Sequence, residues 1–167
     1  GISLWMMVFQ KDKSILVVAT KQDTAKNLVT KVKFMYDNLP SWLQIGFTEN
    51  NKLALRLKNG SQVKAVSAAS DAGRSEAISL LIIDEAAFIE ENRIEEIWGS
   101  SQQTLSTGGR AIVLSTPNGT GNFFHRMWVK AQENQNGFVP IRLPWTVHPE
   151  RNQQWRDQQD AELGGRM

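Results

Sequence analysis

Three observations predict an α/β fold with a mostly parallel sheet for this 167-residue chain. Runs of consecutive apolar residues recur at 15–19, 80–83 and 111–114, the pattern of strands buried on both faces. Segments with apolar residues at helical spacing stand between them. About 30 residues separate the ends of the second and third runs, enough for one crossover helix, as a βαβ unit requires.

The elements follow in order. Residues 2–9 are uniformly apolar and read as a helix that breaks at Gln10-Lys11-Asp12-Lys13. Ile15 opens the first buried strand. Residues 21–39 carry Ala25, Leu28, Val29, Val32, Met35 and Tyr36 on one helical face, and Pro40 ends the helix. Leu53, Leu55 and Leu57 recur at every second position of residues 52–58, a half-buried strand. Asn59-Gly60 is a strong hairpin signal, and residues 61–67 return as the partner, a hairpin expected at a sheet edge. A small, polar loop covers 68–76. A helix, a strand and a second helix, the last with Phe123, Phe124, Met127 and Trp128 at helical spacing, are expected up to Trp128. A last strand is expected at 138–143 and a polar helix or tail at 153–163. The short Gln/Asn run at 132–136 reads as a solvated helix end.

The most informative stretch is Leu80-Leu81-Ile82-Ile83-Asp84-Glu85. In open α/β sheets ligands sit beyond the carboxyl ends of the strands, where these two acids would stand. In a nucleotide hydrolase the first acid holds Mg²⁺ and the second orients or deprotonates the attacking water. The other reading is a strand end whose acids begin the next helix. The strand at 111–114 ends in Ser115-Thr116-Pro117-Asn118-Gly119. Hydroxyls beside an Asp-Glu tip can contact a terminal phosphate or the water, and Pro117 stiffens the turn. A plain Ser-Thr-Pro-Asn-Gly turn is the alternative.

Residues 80–89 (LLIIDEAAFI), followed by 111–128 (AIVLSTPNGTGNFFHRMW), resemble the ATPase domain of the large terminase subunit of tailed bacteriophages. The first segment is similar to that family's Walker B segment with its catalytic Glu, and the second to its coupling motif. ILVVAT at 15–20, Pro144-Trp145, His148-Pro149 and Trp155 extend the resemblance over nearly the whole chain. It implies a RecA-like, P-loop NTPase-type α/β sandwich, with a mostly parallel sheet and flanking helices. Asp84 would hold Mg²⁺, Glu85 would activate water, and Ser115, Thr116, Pro117 and Asn118 would meet the γ-phosphate of ATP. Arg74, ten positions before Asp84, would be an arginine finger reaching a neighbouring subunit's ATP; as a plain sequence feature it is a solvated loop Arg.

One departure matters. No G-x-x-x-x-G-K-[ST] occurs among the 12 glycines, although the family carries a P-loop near its N-terminus. The expectation is therefore a fragment lacking the first strand, the P-loop and the nuclease domain. Residues 1–150 would form a partial ATPase domain and 151–167 a polar helix or linker toward the nuclease. Alone it should turn over ATP negligibly. Implied partners are double-stranded viral DNA, the portal protein, the small terminase subunit and further copies in a homo-oligomeric ring, in the host cytoplasm at the procapsid portal. A helicase-type ATPase and a non-catalytic assembly module are the competing readings.

Composition is permissive. Hydrophobic residues at 41% argue against disorder, and the absence of Cys excludes disulfides and thiolate metal sites. A net charge of +2 shows no basic face by itself, and no membrane partner is expected. The six Trp read as core or interface packing rather than base stacking, and His125 and His148 as packing or surface residues. Glu90, Glu91, Glu95 and Glu96 read as a solvated helix face.

Overall fold

The computed structural model describes residues 1–69, 77–105 and 108–163. They fall into two compact units, Gly1–Met127 and Trp128–Met167.

The first unit is built on a six-stranded sheet. Its strands are β1 (Ser14–Ala19), β2 (Phe47–Asn50), β3 (Ala54–Leu57), β4 (Gln62–Ser67), β5 (Leu80–Ile83) and β6 (Arg110–Val113). Their spatial order is β2-β3-β4-β1-β5-β6. β4, β1, β5 and β6 run parallel, while β2 and β3 add antiparallel. The register sets Val18 beside both Val66 and Ile83, and Ile83 beside Val113, so the four parallel strands end in one row.

Burial on both faces explains the apolar runs. Ile15, Val17, Ala19 and Leu80 enter a core with helices α1 (Ile2–Phe9) and α2 (Gln22–Asp37). Leu16, Val18, Leu81 and Ile83 enter the opposite core, with Ile94 of α3 (Glu91–Leu105) and Phe123 of α4 (Phe123–Gln132). Alternate residues of one strand thus serve two layers, which a period-2 amphipathic strand could not do.

The hairpin at Asn59-Gly60 forms as expected, but not at the edge. β4 pairs parallel with β1, and the outer strand is β2, which sequence reasoning missed. Phe47, Thr48, Glu49 and Asn50 alternate half-buried and exposed. One such alternation in four residues is too short a signal to separate from a loop. Gly60 has φ +85°, and a Cβ there would stand 2.0 Å from Asp12 Oδ1. Asn59 Nδ2 donates to the carbonyls of Met7 (2.8 Å) and Gln10 (3.1 Å), tying the turn to the end of α1.

The expected last strand at 138–143 is not a strand. Pro140 removes a ladder donor, and Val139, Ile141 and Leu143 stay 81%, 69% and 76% exposed. In the second unit, α5 (Gln153–Leu163) realises the polar helix. There Trp145 and Trp155 stack at 6.0 Å between centroids, with Arg151 4.8 Å above the Trp155 ring. Among the described residues no helix is long and apolar enough to cross a membrane.

β6 is left at the sheet's edge. The amides of Arg110 and Leu114 donate to Ser79 and Ile83 on the β5 side, both at 3.0 Å. Strand alternation turns the amides of Ala111 and Val113 outward. α1 keeps Ile2, Trp5 and Phe9 more than half exposed. Among the described residues no strand pairs with its outer side, and an unpaired edge of this kind templates pairing with another chain. The chain is expected to self-associate with rising concentration in light scattering. Ala111→Pro deletes one outward donor without touching the β5 ladder and should suppress that association; a chain that stays monomeric throughout, or associates equally as Ala111→Pro, would overturn this.

Candidate functional site: the strand-tip carboxylates

The row of strand ends gathers the predicted residues. The Asp84 amide donates to Val18 O at 2.8 Å, extending the β1–β5 ladder one residue past the strand. Asp84 Oδ1 accepts from the Glu85 amide at 3.0 Å. Glu85 then turns left-handed, with φ 52° and ψ 41°, and a short 3-10 turn, Ala86–Phe88, follows. The acids therefore do not begin the next helix, since α3 starts at Glu91. A non-glycine residue in this conformation costs about 1–2 kcal/mol and persists only where its surroundings hold it.

Those surroundings are specific. Thr20, the residue after β1, donates from Oγ1 to Glu85 Oε2 at 3.1 Å. The Ala86 amide donates to Leu114 O at 3.1 Å, and the Ala87 amide to Ser115 Oγ at 3.1 Å. Asn118 Nδ2 donates to Ala87 O at 3.0 Å. The two polar strand tips are thus hydrogen-bonded to each other immediately after Glu85. Ser115 accepts in its bond, so its hydroxyl hydrogen remains available as a donor. Thr116 and Pro117 are exposed on the same loop.

Sequence reasoning missed Thr20 and the acids of α3. Thr20 carries no motif of its own and acts only because β1 and β5 are neighbours. Glu91, Glu95 and Glu96, read as a solvated face, are engaged. Glu96 pairs with Arg93 at 2.9 Å. Arg126 of α4 pairs with Glu91 at 2.5 Å and also with Glu95. The hydrogen bond that it donates to Glu91, ahead of the remaining contributions, pushes the Arg126 guanidinium above its usual pKa. These pairs are substantially exposed, so each contributes about 0.2–1 kcal/mol at most.

Arg74 lies outside the described residues. The chain reaches its loop from Ala68 and Ala69, which with Thr20 and Arg93 line a hollow of about 260 Å³ at the ends of β1 and β4. Among the described residues no group of three or more His, Asp or Glu is arranged to hold a metal ion. A cation retaining its own water needs only one or two carboxylates, so the chemistry of Asp84 fits Mg²⁺ rather than a caged metal.

A mostly parallel sheet, helices on both faces and a carboxylate pair at a strand end define a RecA-like NTPase-type fold. The chain matches the HK97 bacteriophage large terminase with a TM-score of 0.69 and 20% identity, over 99% of its own length and 40% of that chain. It matches the ATPase domain of the large terminase of Thermus phage P74-26 with a TM-score of 0.67 and 21% identity, over 98% of its length and 78% of that chain. A large terminase of another, thermophilic bacteriophage, solved in complex with ADP, gives 0.66 and 12%, over 95% and 40%. The family described as terminase large subunit, T4likevirus-type, N-terminal, matches residues 2–164. The chain belongs to this family and has the fold of its ATPase domain. It spans about two fifths of the length of the HK97 protein.

The backbone at Glu85 gives a stability test. Glu85→Gly and Glu85→Ala both delete the carboxylate, and only Ala keeps a Cβ in the left-handed turn. In denaturant unfolding Glu85→Gly should be about 1 kcal/mol more stable than Glu85→Ala. Equal midpoints for the two would show that the turn is not held in this conformation.

Proposed function

We propose that the chain is part of the ATP-hydrolysing motor of a phage DNA-packaging terminase, which couples hydrolysis to translocation of viral DNA into the procapsid. The observation that carries the reading is the bonding of Ala86 and Ala87, which directly follow the Asp84–Glu85 pair, to Leu114, Ser115 and Asn118, at the ends of adjacent parallel strands. Family membership favours it over a helicase-type ATPase.

In this reading Asp84, with Oδ1 steadied by the Glu85 amide, would hold Mg²⁺. When bound, Mg²⁺ would supply neutralisation of charge on the triphosphate of ATP. Glu85 orients the attacking water and accepts its proton, while Thr20 holds one of its carboxylate oxygens. The hydroxyls of Ser115 and Thr116 donate to the terminal phosphate, and Pro117 and Asn118 fix the turn that presents them. Arg74 would reach the nucleotide of a neighbouring subunit. The ADP-bound relative supports nucleotide as the ligand. Residues 1–150 would act as the ATPase portion and 151–167 as a polar helix or linker toward a nuclease domain. The partners would be double-stranded DNA, the portal protein, the small subunit and the other members of a ring, at the portal in the host cytoplasm.

Two experiments on the whole terminase subunit test the roles. Glu85→Gln should retain ATP binding and lower kcat by about 10²–10⁴-fold, whereas Asp84→Asn should weaken Mg·ATP binding as well. Turnover by Glu85→Gln equal to that of the native protein would remove Glu85 from its role.

Arg74 is tested by mixing Arg74→Ala subunits with Glu85→Gln subunits. Interfaces that join an intact Arg to an intact Glu should recover activity. An assembled ring with no recovery at any ratio would exclude a role between subunits.

A further inference from the structure

We propose that Glu91 and Arg126 are positioning residues for the carboxylate site, a clasp that holds the strand-tip loop against the turn following Glu85. The inference rests on the reading of Glu85 as the water-orienting acid.

Two stretches of chain leave the site side by side, 85–91 and 114–126. Near the site they are joined by Ala86 to Leu114, Ala87 to Ser115 and Asn118 to Ala87. At the far end one carboxylate closes the pair. Glu91 Oε2 accepts from the Phe123 amide at 3.1 Å, capping the first turn of α4, and its other oxygen meets Arg126 at 2.5 Å. Arg126 turns back into the loop, donating to Gly121 O at 2.7 Å. Asn122 links loop and helix, donating to Asn118 O at 2.7 Å and accepting from the His125 amide at 2.9 Å. Glu91 and Arg126 therefore hold the far end of the segment that carries Ser115 to Asn118, at Gly121 and Phe123.

General packing does not require this clasp. α4 is already anchored by Phe123, which is 3% exposed and meets Trp98 edge-on at 5.8 Å between centroids. What remains for two exposed charges is the exact placement of the loop, and through Ala86 and Ala87 that of the left-handed Glu85 turn. A shift of the Ser115–Asn118 tip is delivered by the same bonds to the first turn of α4.

Residue-resolved amide exchange on the full chain tests this without nucleotide. Glu91→Gln and Arg126→Gln should each speed exchange at Ala86 and Ala87 by about fivefold, the ceiling for an exposed pair. Val17 and Ala65 in the sheet should not change. The double variant should fall short of the sum of the two single effects, because the Glu91–Arg126 pair is lost only once, while Glu91 also caps Phe123 and Arg126 also meets Glu95. Arg126→Lys, which keeps a charge for Glu91, should fall between native and Arg126→Gln. Unchanged exchange at Ala86 and Ala87, equal acceleration in the sheet, or fully independent effects would each overturn the proposal. Loss of turnover in Glu85→Gln is a separate measurement, so failure of the catalytic reading remains distinguishable from failure of the clasp.

Discussion

The parallel, in-register pairing of β1, β5 and β6 is the constraint on which the rest depends. Val18, Ile83 and Val113 stand abreast, so Thr20, the Asp84–Glu85 pair and Ser115 emerge at one level of the sheet. None of these polar groups would meet without that register. A slip of one residue would also turn each strand's side chains to the opposite core. The two cores oppose such a slip: Leu81 and Ile83 are fully buried on one face and Leu80 nearly so on the other. Each such side chain contributes about 1.5–3 kcal/mol. The apolar run is what aligns the acids that end it.

Past the strand ends the interactions change in kind. Hydrogen bonds to backbone and exposed ion pairs replace burial, and each is worth about 1 kcal/mol or less. The left-handed turn at Glu85 opposes them with a cost of similar size. The tips are thus held by a near balance of small terms on top of a rigid sheet. Such a region can shift without unfolding the domain.

Legibility followed the same division. The buried strands, α1, α2, the Asn59-Gly60 turn and α5 were readable because burial on both faces, helical periodicity and turn chemistry are local patterns. β2 was not, because four residues give no period to measure. Residues 138–143 show the converse error: Val139, Ile141 and Leu143 alternate as a strand should, yet alternation creates no strand without a neighbour to pair with. At the site, Asp84, Glu85 and Ser115 were visible as abrupt polar ends of apolar runs. Thr20, Glu91 and Arg126 were not, because their partners lie 65, 32 and 31 or more residues away in the chain.

That distance also explains how the site's supports differ from its acids. Asp84 and Glu85 are consecutive and sit at a strand end, so their chemistry is tied to one place in the chain. Their supports come from the end of β1, the start of α3 and the start of α4, three elements that the sheet alone brings together. A carboxylate set by its own strand and steadied from three other elements reports on all of them. Displacing the Ser115–Asn118 loop disturbs the Ala86 and Ala87 bonds first and the Glu91 cap on α4 next, in the order in which the two chains are joined.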